Sequence, residues 1–515
     1  MPNWLKNAVF YEIYPQSFYD TNGDGIGDLK GITEKLEYVK GLGCNAIWLN
    51  PIYDSPFMDA GYDVRNHKKV AERYGNEDDL KALLDKAHSM DMHILLDLVP
   101  GHTSDTHPWF QEAKKAKKSE FTDRYIFTNC VWEAPPEYRL MCGICERDGN
   151  YLVNYFSSQP ALNYGFYEVT HPQWQLPHDH PSAKASAEAL KDVMRHWLDF
   201  GVDGFRVDMA DSLVKNDDEK IATAAIWRDV REMMDKDYPD AALVSEWCNP
   251  QRSIKNGGFH MDFYLDHYGN GYSRLFRYLV DGENHSFFSK EGKGDISVFL
   301  DEYLVNYERT KDLGYISFMT NNHDMPRGTF YMDDDTIKLS HAMMFTMPGV
   351  PFLYYGDELG MRYQDELISK EGGFSRTGSR TPMQWDSSEN LGFSKASADK
   401  LYLPVDSKEN APTVENQKDK KGGIYENVTN IIKLRHDIPQ LGNESEFELI
   451  YGEKEKYPFA YRRGDYAVFV NPSGKDTEIP FTEKELERVY TIGNAEFDGK
   501  TAKISASSFA IIKTK

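Results

Sequence analysis

Arg206 and Asp208, in "GFRVDMA" (204–210), are charged residues in a stretch otherwise composed like a buried β-strand. Side chains alternate faces along a strand, so Arg206 and Asp208 point one way while Phe205 and Val207 point the other. Burying a charge is costly unless it is paired and hydrogen-bonded. The stretch therefore reads either as a structural ion pair or as a strand whose end opens into a site where the carboxylate reacts. Two more acids share this setting, Glu246 in "ALVSEW" (242–247) and Asp324 closing "ISFMTNNHD" (316–324). His102 follows "HILLDLVP" (93–100), and His323 directly precedes Asp324. Converging carboxylates of this kind suit glycoside hydrolysis, in which one attacks the anomeric carbon and a second, protonated, donates to the leaving oxygen. Arg206, His102 and His323 can hydrogen-bond sugar hydroxyls and hold the attacking carboxylate ionised. Singly, each strand-end acid is more often a helix cap or a structural pair; the combination is what points to chemistry.

Something must bring these residues together. Eight short apolar, β-rich runs recur, at 8–15, 45–52, 93–100, 204–210, 242–247, 261–266, 316–324 and 350–358. Amphipathic stretches lie between them, such as 78–90 and 184–201, with apolar residues spaced by three and four. Strands alternating with helices imply βα units and a parallel sheet. Eight of them predict an α/β fold, a (β/α)8 TIM barrel, whose active site forms at the C-terminal ends of the strands. The catalytic barrel is expected to span 1–102 and 181–436. Between its parts, 103–180 is too long for a βα connection, is rich in Pro, Cys and aromatics, and reads as a small domain inserted after the third strand. From 437 to 515 short alternating strands predict a C-terminal antiparallel β domain, read as a sandwich.

The charge balance, 59 Lys and Arg against 82 Asp and Glu for a net −23, argues against nucleic acid or an anionic membrane as partner. No apolar run approaches a membrane span, and "MPNWLKNAVFYEIYP" lacks the layout of a signal peptide, so the expected location is cytoplasmic. Oligomeric state is not legible. Five cysteines with one Cys-x-x-Cys (142–145) and no fourth ligand at zinc-like spacing read as reduced structural thiols.

The motifs "GCNAIWLNPI", "DLVPGHTSDTHPWF", "GFRVDMA", "LVSEW", "TNNHD" and "GVPFLYYGDE" together resemble the α-amylase superfamily, glycoside hydrolase family 13, in order and spacing over nearly the whole chain. The resemblance implies a retaining mechanism with Asp208 as nucleophile, Glu246 as acid/base and Asp324 as transition-state stabiliser. It also implies that Arg206, His102 and His323 surround the glucosyl unit at the cleaved bond.

"DTNGDGIGDL" (20–29) is a second signal. Asp20, Asn22, Asp24 and Asp28 alternate with glycines, and Ile26 would offer a backbone carbonyl, as position seven does in a calcium loop. Gly31 stands where an EF-hand has its twelfth-position Glu. The competing reading is an Asx-rich turn capping a helix; a structural Ca²⁺ away from the cleft is expected, and the short-substrate branch of the family shows the same loop.

"GYD" (61–63) and "SRTPMQWD" (379–386) resemble the branch containing α-glucosidases, oligo-1,6-glucosidases and sucrose- or trehalose-forming relatives. The resemblance implies that Asp63 and Arg380 clasp the non-reducing glucose, with Tyr62 as a stacking platform. Three departures stand out: Gly101 where the family commonly has Asn, which predicts a missing hydrogen bond; Ala161 where an acid is common; and Met209 after the nucleophile, a position associated with linkage preference. The Lys-His pair of many endo-amylases is absent beyond Asp211. The expected activity is exo-hydrolysis of short α-1,4 malto-oligosaccharides, with α-1,6 hydrolysis or glycosyl transfer as alternatives. A non-catalytic binding role is disfavoured by the complete set of acids.

Overall fold

The computed structural model describes residues 1–265 and 269–514. Eight strands close a barrel: β1 (Phe10–Ile13), β2 (Ala46–Leu49), β3 (His93–Leu98), β4 (Gly204–Val207), β5 (Ala242–Ser245), β6 (Met261–Phe263), β7 (Tyr315–Phe318) and β8 (Val350–Tyr354). Each pairs in parallel with its sequence neighbours, and β1 closes onto β8 through Phe10 opposite Phe352. All eight expected runs carry one of these strands. The sixth run ends at Asp266, which lies outside the described residues.

The helices between them follow from local chemistry. Helix α1 (Leu29–Gly41) is capped by Asp28, whose carboxylate accepts from Gly31 N at 2.7 Å. Helix α2 (Glu77–Ser89) opens with a capping box of Asn76 and Asp79, and buries Leu80, Leu83, Leu84 and Ala87 along one face. Helix α3 (Pro181–Phe200) begins three residues before the apolar periodicity, because His180 caps it and Pro181 takes the first turn. It stops at Gly201, whose φ of 112° is left-handed.

The barrel interior is filled rather than open. Phe10 stacks on Phe352 at 4.3 Å, and Phe263 packs edge-on against the same ring at 4.8 Å. Each such buried ring contributes on the order of 1.5–3 kcal/mol. Strand β4 starts at Gly204 with φ 138°, where a Cβ would stand 2.0 Å from the Ala242 carbonyl oxygen, so only glycine lets β4 and β5 approach. A short antiparallel pair, Leu140–Cys142 with Asn150–Leu152, and a cluster around Phe166 and Trp174 build the segment inserted after β3. After the helix Ile424–Asp437, antiparallel sheets of five and three strands form the C-terminal part. No helix among the described residues is long and apolar enough to cross a membrane.

Candidate active site

The register of β3 against β4 sets Asp97 directly opposite Arg206. The Arg206 guanidinium therefore meets Asp97 Oδ1 at 2.8 Å, and it also reaches Asp208 Oδ1 at 3.1 Å and Glu246 Oε2 at 2.8 Å. One buried guanidinium thus holds three carboxylates, rather than Asp208 alone. Burial pushes the Asp208 carboxyl up, and Glu246, Asp97 and Asp324 add to that push while Arg206 opposes it. Two further carboxylates beside the same cation make the ionisation of Asp208 more costly than Arg206 alone would leave it.

Glu246 is placed by the turn after β5. Asp262 Oδ1, on β6, accepts from Ser245 Oγ at 2.6 Å and from the backbone N–H groups of Trp247 and Cys248 at 3.2 Å. Glu246 Oε2 takes a second hydrogen bond, from Met209 N at 3.0 Å, which leaves Oε1 as the oxygen that can carry a proton. Asp324 Oδ1 accepts from Arg380 at 2.8 Å and Arg376 at 3.0 Å, and its Oδ2 lies 3.3 Å from His323 Nε2. Burial works against its ionisation, but the Arg380, Arg376 and Arg206 guanidiniums, with His323 Nε2 at 3.3 Å, outweigh it and hold the carboxyl well below the usual range.

These groups open onto a cleft of about 330 Å³ lined in part by Asp208, Glu246, Asp324, Tyr62, His102 and Met209. Asp59, Arg376, Gln159, Tyr155, Trp247 and Asp211 complete the wall. His102 lines the cleft, yet both its nitrogens have protein partners: Nε2 meets the Tyr62 carbonyl at 3.0 Å and Nδ1 meets Asn154 Nδ2 at 3.2 Å. Tyr62 is buried with its hydroxyl 2.8 Å from both Asp97 Oδ2 and His323 Nε2, so its polar end anchors the site.

The expected Asp63–Arg380 clasp is not what forms. Asp63 is fully buried and turned into its own loop, accepting from Ser55 Oγ at 3.0 Å, Met58 N at 2.9 Å and Asp59 N at 3.0 Å. Burial raises it to about 6. Arg380 lies behind Asp324 and donates through Nε to the His323 carbonyl at 2.9 Å. The pair at the cleft wall is Asp59 with Arg376, 3.3 Å apart, with Gln159 of the inserted segment donating to the other Asp59 oxygen at 2.8 Å. Each lies four residues before the residue that the sequence singled out, and a charge in a loop gives no sign of which way it faces.

The hydrogen bond predicted to be missing at Gly101 is replaced. A Cβ at Gly101 would stand 2.8 Å from Asn154 Nδ2, so the Asn154 amide occupies that space and holds His102 in place of the absent side chain. Lys215, half-buried and lowered to about 8 by desolvation, donates to Asn154 Oδ1 at 3.3 Å and Ser212 O at 2.5 Å.

In the 20–28 loop the carboxylates serve as backbone acceptors. Asp20 accepts from Asn22, Gly23 and Gly25 N and from Ser394 Oγ, Asn22 Oδ1 from Asp24 N, Asp24 Oδ1 from Ile26 N, and Asp28 from Thr21 and Gly31. Among the described residues no three His, Cys, Asp or Glu side chains converge as metal ligands. These hydrogen bonds are those of an Asx-rich turn. None of the five cysteines is in a disulfide.

Carboxylates gathered around an arginine at the C-terminal mouth of an eight-stranded barrel define a glycoside-processing enzyme. The alpha-amylase catalytic-domain family model matches residues 12–443, and the chain belongs to that family of glycoside hydrolases. Trehalose synthase/amylase TreS of Mycolicibacterium smegmatis is 33% identical, over 85% of this chain and 78% of its own length. An oligo-1,6-glucosidase of Heyndrickxia coagulans is 29% identical over 97% of both chains. Among solved structures, isomaltulose synthase from Erwinia rhapontici NX5 superposes with a TM-score of 0.83 at 25% identity, each chain fully covered.

Proposed function

We propose that this enzyme takes a single terminal glucosyl unit from the non-reducing end of short α-glucosides, by a retaining double displacement. The observation that carries the reading is the Asp59–Arg376 pair, set in the cleft wall beside Asp324. The proposal takes this pair to close the pocket one sugar past the reacting centre, which admits chain ends and excludes chain interiors. Arg206 takes Asp208 Oδ1, which leaves Oδ2 to attack the anomeric carbon. Glu246, through Oε1, protonates the departing oxygen and then takes a proton from the water or sugar hydroxyl that captures the glycosyl-enzyme. Asp324, held ionised, engages ring hydroxyls as charge develops on the sugar.

For the linkage we propose α-1,4, as in malto-oligosaccharides; the likeness to an oligo-1,6-glucosidase supports α-1,6 as the second reading. The TreS and isomaltulose synthase likenesses support capture by a sugar hydroxyl as an alternative to water. Glucose release from maltose, isomaltose, sucrose and maltotriose in parallel, beside a maltoheptaoside blocked at its non-reducing end, tests the proposal. Cleavage of the blocked chain as fast as the free one overturns exo-action; isomaltose outpacing maltose overturns only the linkage. A Ca²⁺ in the 20–28 loop, held by Asp20, Asn22, Asp24, the Ile26 carbonyl and Asp28, is likewise proposed, on the residue pattern alone.

A further inference from the structure

Glu12, on β1, is fully buried beneath the site and is absent from any step above. Its Oε1 lies 2.7 Å from His323 Nδ1, and its Oε2 is buried without a hydrogen-bond partner. The neighbouring hydrogen bonds determine where the protons sit. Tyr62 has one hydroxyl proton, and Asp97 Oδ2 at 2.8 Å, already bound to Arg206 through Oδ1, has none to give. Tyr62 therefore donates to Asp97 and must accept from His323 Nε2 at 2.8 Å. Asp324 Oδ2, 3.3 Å from the same nitrogen, also requires a proton there.

With Nε2 protonated, the remaining question is Nδ1. Burial pushes the His323 pKa well below the ordinary value; Asp324 opposes this, while Arg380, Arg206 and Arg376 reinforce it. The ring is thus neutral and Nδ1 is a lone pair. An ionised Glu12 would set a charged oxygen against that lone pair at 2.7 Å and leave Oε2 charged, buried and unpartnered. Asn50 Nδ2, 3.2 Å from Nδ1 and 3.3 Å from Glu12 Oε1, does not relieve that conflict. Burial raises the Glu12 pKa, which agrees with the geometry.

We propose that Glu12 is a positioning residue that stays a neutral carboxylic acid, donates to His323 Nδ1 and so fixes the imidazole with its proton on Nε2, facing Tyr62 and Asp324. It would act through His323: the Nε2–H steadies the Asp324 oxygen that Arg376 and Arg380 leave free. The charged and titratable groups around the pair are Asp97 on β3, Arg206 on β4, Tyr354 on β8, Tyr62, Asp324, Arg376 and Arg380. The proposal rests on Asp324 acting on substrate as proposed above.

The direct test is ¹⁵N NMR of the full-length enzyme labelled at histidine, with the His323 signal identified by its loss in His323→Gln. A protonated Nε2 and a bare Nδ1 at neutral pH are expected; a proton on Nδ1, alone or with Nε2, overturns the proposal. This readout needs no substrate, so its failure is separable from failure of the proposed function. The second test is the pH profile of kcat/KM in Glu12→Gln. Removing a neutral acid leaves the acid limb in place, whereas removing a buried negative charge would shift it by about half a unit or more and overturn the assignment. Glu12→Met, which cannot donate, should lower kcat/KM about 10- to 100-fold. Wild-type kcat/KM in that variant would also overturn the proposal. Should Glu12→Met not fold, the tautomer and the Glu12→Gln profile decide.

Discussion

Asp59 and Arg376, 317 residues apart in sequence, meet at 3.3 Å across the mouth of the barrel. Arg376 also binds Asp324 at 3.0 Å, so the wall of the pocket and the candidate stabilising acid share one guanidinium. Replacing Arg376 by Ala removes hydrogen bonds that orient the terminal sugar and loosens Asp324 at once. KM should rise and kcat should fall together, lowering kcat/KM about 100-fold on the best disaccharide. Steady-state kinetics of R376A against wild type measures both; unchanged constants would place the clasp elsewhere.

Asp208→Asn keeps the volume of the side chain and removes the attacking charge. Activity should fall by about three orders of magnitude or more. The fold should persist, because one carboxylate fewer lies against Arg206 and the surplus of negative charge there shrinks. Retention of a tenth of the wild-type rate, with a normal circular dichroism spectrum, would remove Asp208 from the nucleophile's role.

What the sequence disclosed and what it hid differ in physical kind. The barrel strands were legible because each is a short apolar run between helices of 3.6-residue period, and both signals are local. Asp208, Glu246 and Asp324 were legible because charges at strand ends are rare and recurred three times. The clasp was not: Asp59 and Asp63 lie in one loop, Arg376 and Arg380 in another, and only tertiary packing turns Asp63 into its own backbone and Asp59 outward. Asn154 replacing the side chain missing at Gly101 is a long-range substitution, from an inserted segment whose path no periodicity predicts. Glu12 was hidden because a single acid in an apolar strand has no partner in its own neighbourhood; His323 is 311 residues away.

The 20–28 loop offers a test between its two readings. If it takes calcium as proposed, the ion binds the folded state preferentially and chelation lowers the melting temperature. A fall of several degrees in excess chelator, restored by Ca²⁺ and matched by about one calcium per chain in elemental analysis, is expected. Equal melting with and without chelator, in protein shown to be metal-free, leaves the loop as the self-contained turn that its backbone hydrogen bonds describe.

Asp262 supplies a pH dependence of stability. Burial raises it to about 7, although Ser245 Oγ, Trp247 N and Cys248 N all donate to its Oδ1. An unfolded aspartate ionises near about 3.9. The folded state therefore favours the protonated form, and the associated stability is complete below about pH 4 and lost as the pH rises through about 7. The effect is on the order of a few kcal/mol. Asp262→Asn retains an oxygen to accept from Ser245 Oγ, Trp247 N and Cys248 N, and it cannot ionise. Its side-chain amide leaves a donor where Asp262 Oδ2 has no partner, a cost of about 1–3 kcal/mol that does not vary with pH. The stability of the wild type relative to Asp262→Asn should accordingly fall as the pH rises from about 4 through about 7. Asp357, also raised to about 7 by burial, titrates in both proteins and cancels in the difference. Melting curves of the two proteins at half-unit steps supply the measurement. Parallel curves would mean that Asp262 is ionised throughout, and that the turn carrying Glu246 is held by a buried charge instead of a neutral acid.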